Sequence, residues 1–318
     1  MLPRMSEQSR VVTVIVGAAA ILLAIGSIAE AVEFPRGGVR NADPPPVALV
    51  GATVHVAPGQ VVRDAVLRIR DGRVEAVERK GRVPDGYRVI DLDGSIVYPG
   101  LVDPYTEYGV AAKRDDGDRG GRSRTPQYDA DRTGARSWNE AVRAERDAVA
   151  TFAPDRDAAE AHLKSGVTTV LSVPRDGIFR GRSTIVSLGE GEPNEVVLDA
   201  HGPHALSFDK GSSKQAYPGS LMGSIALLRQ TYLDAAWYAR ARDVAERTGQ
   251  IGPDVDRALE AIASYEGPWL FETGDELSAL RAARVGREAG LDLIHVVDSA
   301  VYARVEQIAA LDAPLIVR

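Results

Sequence analysis

The stretch that decides the fold is IVYPGLVD at residues 96–103, an apolar run that passes through Pro99-Gly100 and ends in the carboxylate of Asp103. Short runs rich in β-branched residues, which favour strands, precede it at residues 47–56, 65–69, 74–78, 88–92 and 95–97. Asp71-Gly72 separates the second run from the third, and an Asp-Gly pair is a strong signal for a two-residue hairpin turn. We therefore expect residues 47–97 to form a small all-β unit of hairpins.

After this stretch the pattern changes to alternating helices and strands. Helical patterns occur at residues 157–165, 220–242, 276–288 and 302–311, and strand patterns at residues 167–173, 269–272, 291–297 and 314–317. Ser220 is a candidate N-cap for the long second helix. Repeated strand–helix–strand units predict a parallel sheet, which at this chain length is most often a (β/α) barrel. The polar residues 113–136 have no apolar repeat and are expected to form a loop.

The N-terminus has the pattern of an export signal. Arg4 and Arg10 precede an uncharged apolar run at residues 11–29, and Ala29-Glu30-Ala31 offers a small-residue cleavage site. The run also reaches the length of a membrane span, so residues 1–31 are interpreted as either a cleaved signal peptide or a membrane anchor. Residues 32–46, with three consecutive prolines, are interpreted as a linker. Both alternatives place the folded part in the periplasm or outside the cell, with membrane contact only through residues 11–29.

Composition excludes several kinds of chemistry. The chain has 318 residues, and 44% of them are hydrophobic, which is enough for one large domain or two smaller ones. A net charge of −7 argues against nucleic-acid binding, which needs clustered lysines and arginines. The absence of cysteine excludes disulfides, thiol nucleophiles and Cys-ligated zinc. His201 and His204 flank Gly202-Pro203, which predicts a surface turn rather than a pair of metal ligands.

The order of these features resembles the amidohydrolase superfamily, particularly its imidazolonepropionase-like members. The resemblance rests on the hairpin-rich unit, on the strand YPGLVD at residues 98–103 and on the strand GVTTV at residues 166–170. It implies an α/β fold with a small β-sandwich at residues 47–97 and a TIM-type (β/α) barrel at residues 98–318. Because the strand count reaches only a seventh barrel strand at residues 314–317, we expect the barrel to be incomplete at its C-terminus and the chain to be a fragment.

The resemblance also implies positions for metal ligands, and there this sequence departs from the family pattern. The family has His-x-His after the terminal Asp of the first barrel strand, where this chain has Tyr105 and Glu107. Later family histidines align with Glu272 and with a position near Val297, while His295 lies two residues away as a possible stand-in. With the family ligand positions occupied by these residues, we expect no metal or other cofactor in this segment.

Polar side chains nevertheless collect at the predicted C-terminal ends of the strands, where barrels place their active sites. This candidate barrel mouth consists of Asp103, Tyr105, Glu107, Glu272, His295 and Asp298. An oxygen-rich set of this kind suits Mg, Mn or Ca better than Zn. The sequence therefore allows a polar barrel mouth without metal or a carboxylate-rich divalent-metal site, and it singles out no catalytic residue.

The family relationship implies a hydrolase of non-peptide carbon–nitrogen bonds that attacks with metal-activated hydroxide. Replacement of the ligands favours a pseudoenzyme, a structural half of a longer exported protein. The segments WNEAVR, DGIFRG and SLMGS, at residues 138–143, 176–181 and 220–224, resemble large exported bacterial amidohydrolase-like proteins in which a degenerate unit precedes an intact one. The expected partner is thus a C-terminal continuation with an intact unit. Two alternatives stay open: an active hydrolase with a carboxylate-rich metal site, and an extracytoplasmic module that binds a small ligand.

Overall fold

The computed structural model describes residues 45–110 and 126–318. The chain divides into two compact units, Met1–Pro99 and Gly100–Arg318, each of which is described by itself. Residues 1–44 lie outside the described part, and with them the predicted signal peptide or anchor at residues 1–31. Within residues 45–110 and 126–318, no helix is long and apolar enough to cross a bilayer.

The described part of the first unit is a five-stranded sheet. Its strands are β1 (Val47–Ala57), β2 (Gln60–Arg70), β3 (Arg73–Arg79), β4 (Arg88–Asp91) and β5 (Ile96–Val97). The order is β3-β2-β1-β4, with β5 also paired to β1. Asp71 and Gly72 both have positive φ, 50° and 70°, as the predicted hairpin turn between β2 and β3 requires. The core of this sheet is formed by Ala52, Val54, Ala65 and Leu67.

The prediction of hairpins throughout this unit is wrong for its last two strands. Strands β4 and β5 both run parallel to β1, β4 beside residues 47–50 and β5 beside residues 53–54. Asp93-Gly94 therefore joins two consecutive segments that run in the same direction along β1, and it does not reverse the chain. An Asp-Gly pair specifies a local turn, but the pairing of the flanking strands depends on which neighbour has a free edge.

The deciding stretch at residues 96–103 is two strands rather than the single strand that its apolar character predicts. Strand β5 ends at Val97, and β6 (Leu101–Thr106) begins after Tyr98-Pro99-Gly100, in the second unit. Pro99 has no backbone N–H to donate to a ladder, so it interrupts the pairing. The intervening turn is thus the boundary between the two units.

The second unit is a mixed α/β structure with two sheets. Its further strands are β7 (Val167–Ser172), β8 (Phe179–Arg182), β9 (Thr184–Ser187), β10 (Val197–Asp199), β11 (His204–Ser207), β12 (Trp269–Thr273), β13 (Leu293–Val297) and β14 (Leu315–Val317). The sheet orders are β10-β9-β7-β6 and β14-β13-β12-β11-β8. Strand β6 is parallel to β7, and β12 to β14 are mutually parallel, as the alternating pattern predicts, while β11, which was not predicted, is parallel to β12.

Two features of these sheets differ from the prediction. Strands β8 to β11 were not predicted, and three of their pairings are antiparallel: β8 with β11, β9 with β7 and β10 with β9. In addition, β14 is the sixth rather than the seventh strand of the parallel ladders among the described residues. The strands β8 and β9 are only four residues long and contain Arg, Gly and Ser, so they lack the apolar run that marks a buried strand.

Helices connect and cover the strands of the second unit. They are α1 (Arg156–Lys164), α2 (Pro193–Val196), α3 (Leu221–Thr248), α4 (Arg257–Ala263), α5 (Glu276–Ala289) and α6 (Val305–Ala309), with 3-10 turns at Ala148–Thr151 and Ser299–Arg304. The Ser220 side chain accepts from the Gly223 N–H and caps α3, which confirms the predicted N-cap. The helix predicted at residues 302–311 is instead the second 3-10 turn followed by the short α6.

Candidate functional site

Glu272 lies at the centre of the candidate site, near the C-terminal end of β12. It pairs in register with Val296 of β13, and side chains alternate between the two faces of a strand. Leu270 and Val296 share a buried cluster with Tyr105 and Val173. Glu272 therefore lies on the same face of the sheet as this apolar cluster, and its carboxylate lies at the cluster's edge.

Three arginines surround this carboxylate. Arg175 Nη2 lies 2.5 Å and Arg318 Nη1 2.6 Å from Glu272 Oε1. Arg180 Nη1 forms an ion pair with Glu272 Oε2, which also accepts a hydrogen bond of 3.1 Å from the Tyr105 hydroxyl. Both oxygens of Glu272 are thus satisfied by charged or phenolic donors. We call Arg175, Arg180 and Arg318 the arginine triad.

The outer part of the site repeats this pattern of charge pairing. Arg175 Nη1 lies 3.3 Å from Glu107 Oε2, and Arg318 Nη2 lies 2.7 Å from Asp298 Oδ1. The triad therefore meets three carboxylates, and the formal charges cancel. Four of the six predicted barrel-mouth residues belong to this network: Tyr105, Glu107, Glu272 and Asp298.

The electrostatics of the site stabilise the ionised carboxylate and the neutral phenol. Burial alone would raise the pKa of Glu272, but the charge and hydrogen bond of Arg180, followed by those of Arg175, outweigh it and lower the pKa to about 2. Burial raises the pKa of Tyr105 above its usual value, and the nearby Glu272 carboxylate contributes in the same direction. Tyr105 is therefore a protonated hydrogen-bond donor at neutral pH.

Sequence comparisons find two imidazolonepropionases as relatives. The chain is 27% identical to the imidazolonepropionase of Klebsiella pneumoniae over 257 residues and 25% identical to that of Bacillus velezensis over 250 residues. These alignments cover 76% and 72% of this chain, and the chain spans 60% and 55% of the two relatives' length. No protein-family model matches the chain.

A comparison of structures agrees with the sequence relatives. A crystal structure of an amidohydrolase from Thermotoga maritima matches 86% of this chain and 70% of its own, with a TM-score of 0.67 and 20% identity. At this identity the match shows a shared fold. The amidohydrolase relationship is confirmed. The resemblance seen in the sequence at residues 98–103 and 166–170 therefore reflects a relationship that extends over most of the chain.

The amidohydrolase ligand positions have different surroundings in this chain. Tyr105, Glu107 and Glu272 all contact the arginine triad. Val297 lies on the opposite face of its strand, in a cluster with Ala279 that includes helix residues. Three of the four positions that align with family metal ligands therefore lie together in this structure, and the fourth, Val297, does not.

His295 and Asp103, the other two residues predicted at the barrel mouth, do not take part in the ion-pair network that the described residues form around Glu272. His295 pairs in register with Phe271, so it lies on the face of the sheet opposite Glu272, and it is 1% exposed. His295 is two residues from Val297, so both side chains lie on the same face of the strand, and this face is directed away from the site. Asp103 Oδ1 accepts a local hydrogen bond of 3.0 Å from the Tyr105 N–H. Among the described residues, no group of three or more His, Asp or Glu is placed to hold a metal ion.

The arginine triad is the part of the site that the sequence prediction missed. Arg175 follows β7 and Arg318 follows β14, so both lie at C-terminal ends of parallel strands, as the predicted carboxylates do. The rule that selected the carboxylates would have selected these two cations if it had been applied to every charged residue. Arg180 lies on β8, which carries no clear strand signal, and only the structure reveals it.

Two of the segments quoted in the sequence analysis, residues 138–143 and 176–181, support Arg180 of the triad. The Arg143 N–H donates to Phe179 O at 2.9 Å, and the Ile178 N–H donates to Ala141 O at 2.8 Å, which joins residues 138–143 to residues 176–181. Arg143 is buried and forms an ion pair with Asp176, and burial lowers its pKa to about 10. Because Arg180 lies in the second segment, this buried network fixes the backbone from which it reaches Glu272.

The expected surface turn at His201 and His204 is wrong for His204. His204 begins β11 and is 1% exposed, with its ring 4.4 Å from that of Tyr265 and 5.0 Å from that of Trp269. Its Nε2 accepts from Arg182 Nε at 3.3 Å. Burial, followed by the charge of Arg182, lowers the pKa of His204 to about 4. His204 is therefore a neutral core residue.

This pKa makes stability sensitive to acid. The unfolded chain gains a proton at His204 below about pH 6.5, whereas the folded chain gains it near pH 4, so folding stability falls as pH falls through this window. We expect this group to remove roughly 3 kcal/mol between pH 6.5 and 4. Urea unfolding of His204→Gln should show a shallower pH slope than the wild-type chain. The exposed-site variant His201→Gln serves as the control, and equal slopes for all three proteins would contradict the assignment.

Proposed function

We propose that this chain is a non-catalytic amidohydrolase-like unit, in which the arginine triad takes the place of a metal ion as the cation that neutralises Glu272. The single observation that carries this proposal is the saturation of Glu272: Oε1 meets Arg175 and Arg318, and Oε2 meets Arg180 and Tyr105. A metal ligand needs a free lone pair and an approach that is not opposed by positive charge. Glu272 offers neither in this arrangement.

The donor set at this site does not fit the metal ion of the amidohydrolase family. A catalytic zinc site has about three protein ligands, commonly imidazoles, whereas this site presents one phenol and carboxylates already paired with guanidinium groups. The buried neutral Tyr105 is a weak ligand, and His295 lies on the other face of the sheet. The same pairing weighs against the alternative site for Mg, Mn or Ca, because its carboxylates would first have to exchange arginines for the ion.

We also infer the finer architecture. Residues 47–97 would form one part of a small β-sandwich, and residues 98–318 an incomplete (β/α) barrel. The parallel ladders of β6–β7 and β11–β14 and the fold shared with the Thermotoga maritima amidohydrolase support this interpretation. The proposed role is structural: an exported pseudoenzyme half, with residues 1–31 as signal or anchor, that packs against a C-terminal continuation carrying an intact metallohydrolase unit. The other alternative, a small-ligand binding module, has no specific contact in its favour.

Hydrolysis assays test this proposal. The purified chain, assayed with zinc or manganese on the substrate of its imidazolonepropionase relatives, should show no turnover above a buffer control containing the same metal. Glu107→Ala and Glu272→Gln should not change this result. Metal-stimulated turnover that disappears in Glu107→Ala would establish the carboxylate-rich active site instead.

A further inference from the structure

Helix α3 is apolar on two opposite faces. Its inner face, with Leu227, Leu228 and Ala235, is buried in the main core of the second unit. Its outer face presents Met222, Leu233, Trp237 and Val244, which are 82%, 66%, 54% and 43% exposed. At about 100° per residue these four positions fall within roughly 60° of arc, so they lie along one side of the helix, with Arg240 between Trp237 and Val244. We call these four residues the outer stripe.

The outer stripe connects two surface cavities. One, of about 660 Å³, is lined by α3 residues from Trp237 to Ala245 and by residues 250–253, where Ile251 is fully exposed. The other, of about 240 Å³, lies between α3 and α5 and has Met222, Ile225 and Val285 as its apolar side chains. The stripe from Met222 to Val244 is roughly 33 Å long at 1.5 Å per residue. This is the length of a helix of about 20 residues, which could place side chains into both cavities.

The charged side chains that line the two cavities are positive, whereas Asp234 and Asp243 elsewhere on α3 pair with Gln230 and Arg247. Among the described residues, every charged side chain lining the two cavities is an arginine: Arg240 in the larger, and Arg229, Arg281 and Arg284 in the smaller. One carboxylate, Glu288, is shared between Arg229 at 2.7 Å and Arg284 at 3.2 Å. A single acid beside several guanidinium groups leaves the rim of the smaller cavity with a positive excess.

We propose that the outer stripe and its two cavities bind an acidic amphipathic helix of a partner protein. Apolar side chains of that helix would cover the stripe and fill the cavities, and its carboxylates would meet the arginines. A second copy of this chain fits less well. Antiparallel pairing of two α3 helices about a point between Leu233 and Trp237 would bring Arg229 of one copy next to Arg240 of the other, which is a like-charge contact.

A pair of designed peptides tests this proposal on the full chain. The probe is a fluorescein-labelled helical peptide of about 20 residues with leucine on one face and glutamate and alanine elsewhere; its counterpart has lysine in place of glutamate. Fluorescence anisotropy should show saturable binding of the glutamate peptide, weakened by salt, and no binding of the lysine peptide. Trp237→Asp and Arg240→Glu should each weaken binding at least about tenfold. The matched control is Trp138→Asp, because Trp138 is equally exposed, at 56%, but lies outside α3.

Several results would overturn the proposal. Binding of neither peptide, or of both equally well, contradicts an acidic helical partner. Sedimentation that shows dimers of the wild-type chain and monomers of Trp237→Asp would assign the stripe to a second copy. Binding to phosphatidylserine vesicles that Trp237→Asp abolishes, without binding of the glutamate peptide, would assign it to a membrane surface.

Discussion

Glu272→Ala should lower the free energy of unfolding by about 3–5 kcal/mol, because it leaves buried guanidinium charge without its counter-ion. Arg180 and Glu272 are 4% and 8% exposed, so water cannot replace the lost partner. Arg180 would keep only a neutral phenol and a backbone carbonyl, from Tyr105 and Gly177, as hydrogen-bond partners. Urea unfolding followed by circular dichroism at pH 7 measures the loss.

The matched control for this substitution is Glu107→Ala. Glu107 meets a member of the same triad, Arg175, but its side chain is 36% exposed and the pair is accessible to solvent. Its loss should cost less than about 1 kcal/mol. If the two variants were equally stable, Glu272 would not be the central counter-ion of the triad. The free energy of unfolding of the wild-type chain should also fall in acid because of Glu272. The stabilisation from ionised Glu272 is fully present above about pH 4.5 and is lost as pH falls towards 2.

Gly181→Ala should destabilise the chain strongly, because it combines a positive φ with a backbone collision. Gly181 lies between Arg180 and Arg182 with φ +95°, and a Cβ there would collide with the carbonyl oxygen of Arg146 and lie 2.9 Å from its Cβ. Backbone strain costs roughly 1–3 kcal/mol, and the steric overlap adds a similar amount. Because the change displaces β8, it should also loosen the contact of Arg180 with Glu272.

Gly134→Ala separates the cost of backbone strain from the cost of steric overlap. Gly134 has nearly the same φ, +92°, but no atom lies within 4 Å of the position of its Cβ. This control should lose only the strain part, roughly 1–3 kcal/mol. Thermal and urea unfolding of both variants compare the losses. A Gly134→Ala variant as unstable as Gly181→Ala would mean that the contact with Arg146 has no energetic importance.

Local signals in the sequence were sufficient for much of the fold. The positive φ angles of Asp71 and Gly72, the cap at Ser220 and the left-handed Gly290 that ends α5 all follow from residue types at single positions. The pairing of β4 and β5 with β1, and of β8 with β11, could not be predicted in this way. Strand pairing depends on which edges are free after the other elements have packed, and short polar strands carry little periodicity.

The candidate site was predictable in its carboxylates and in Tyr105, and not in its arginines. Tyr105, Glu107, Glu272 and Asp298 were found because they lie at strand ends that a metal site would use. The arginines were missed because a metal-ligand pattern contains no place for positive charge. His295 was misplaced for a geometric reason: a shift of two residues preserves the strand face, and the face of Val297 is turned away from the site.

The ion-pair network around Glu272 leaves no charge or hydrogen-bonding group of its carboxylate for a metal ion. The three triad guanidinium groups and the carboxylates of Glu107, Glu272 and Asp298 neutralise one another. In addition, the guanidinium carbons of Arg175 and Arg318 lie 5.7 Å and 5.8 Å from the centre of the Tyr105 ring. Tyr105 therefore acts as hydrogen-bond donor to Glu272 and as an apolar and cation–π contact for two arginines. A metal ion entering this site would have to displace several of these interactions.

Metal binding by the full chain is the most direct test of the proposal that the arginine triad occupies the place of the metal. The purified protein would be dialysed against zinc and, separately, manganese, and its metal content measured by inductively coupled plasma mass spectrometry, with Glu272→Gln as the matched variant. We expect both proteins to retain no more metal than a buffer control. Stoichiometric metal in the wild-type chain that is lost in Glu272→Gln would show that Glu272 is a ligand, and would contradict the account.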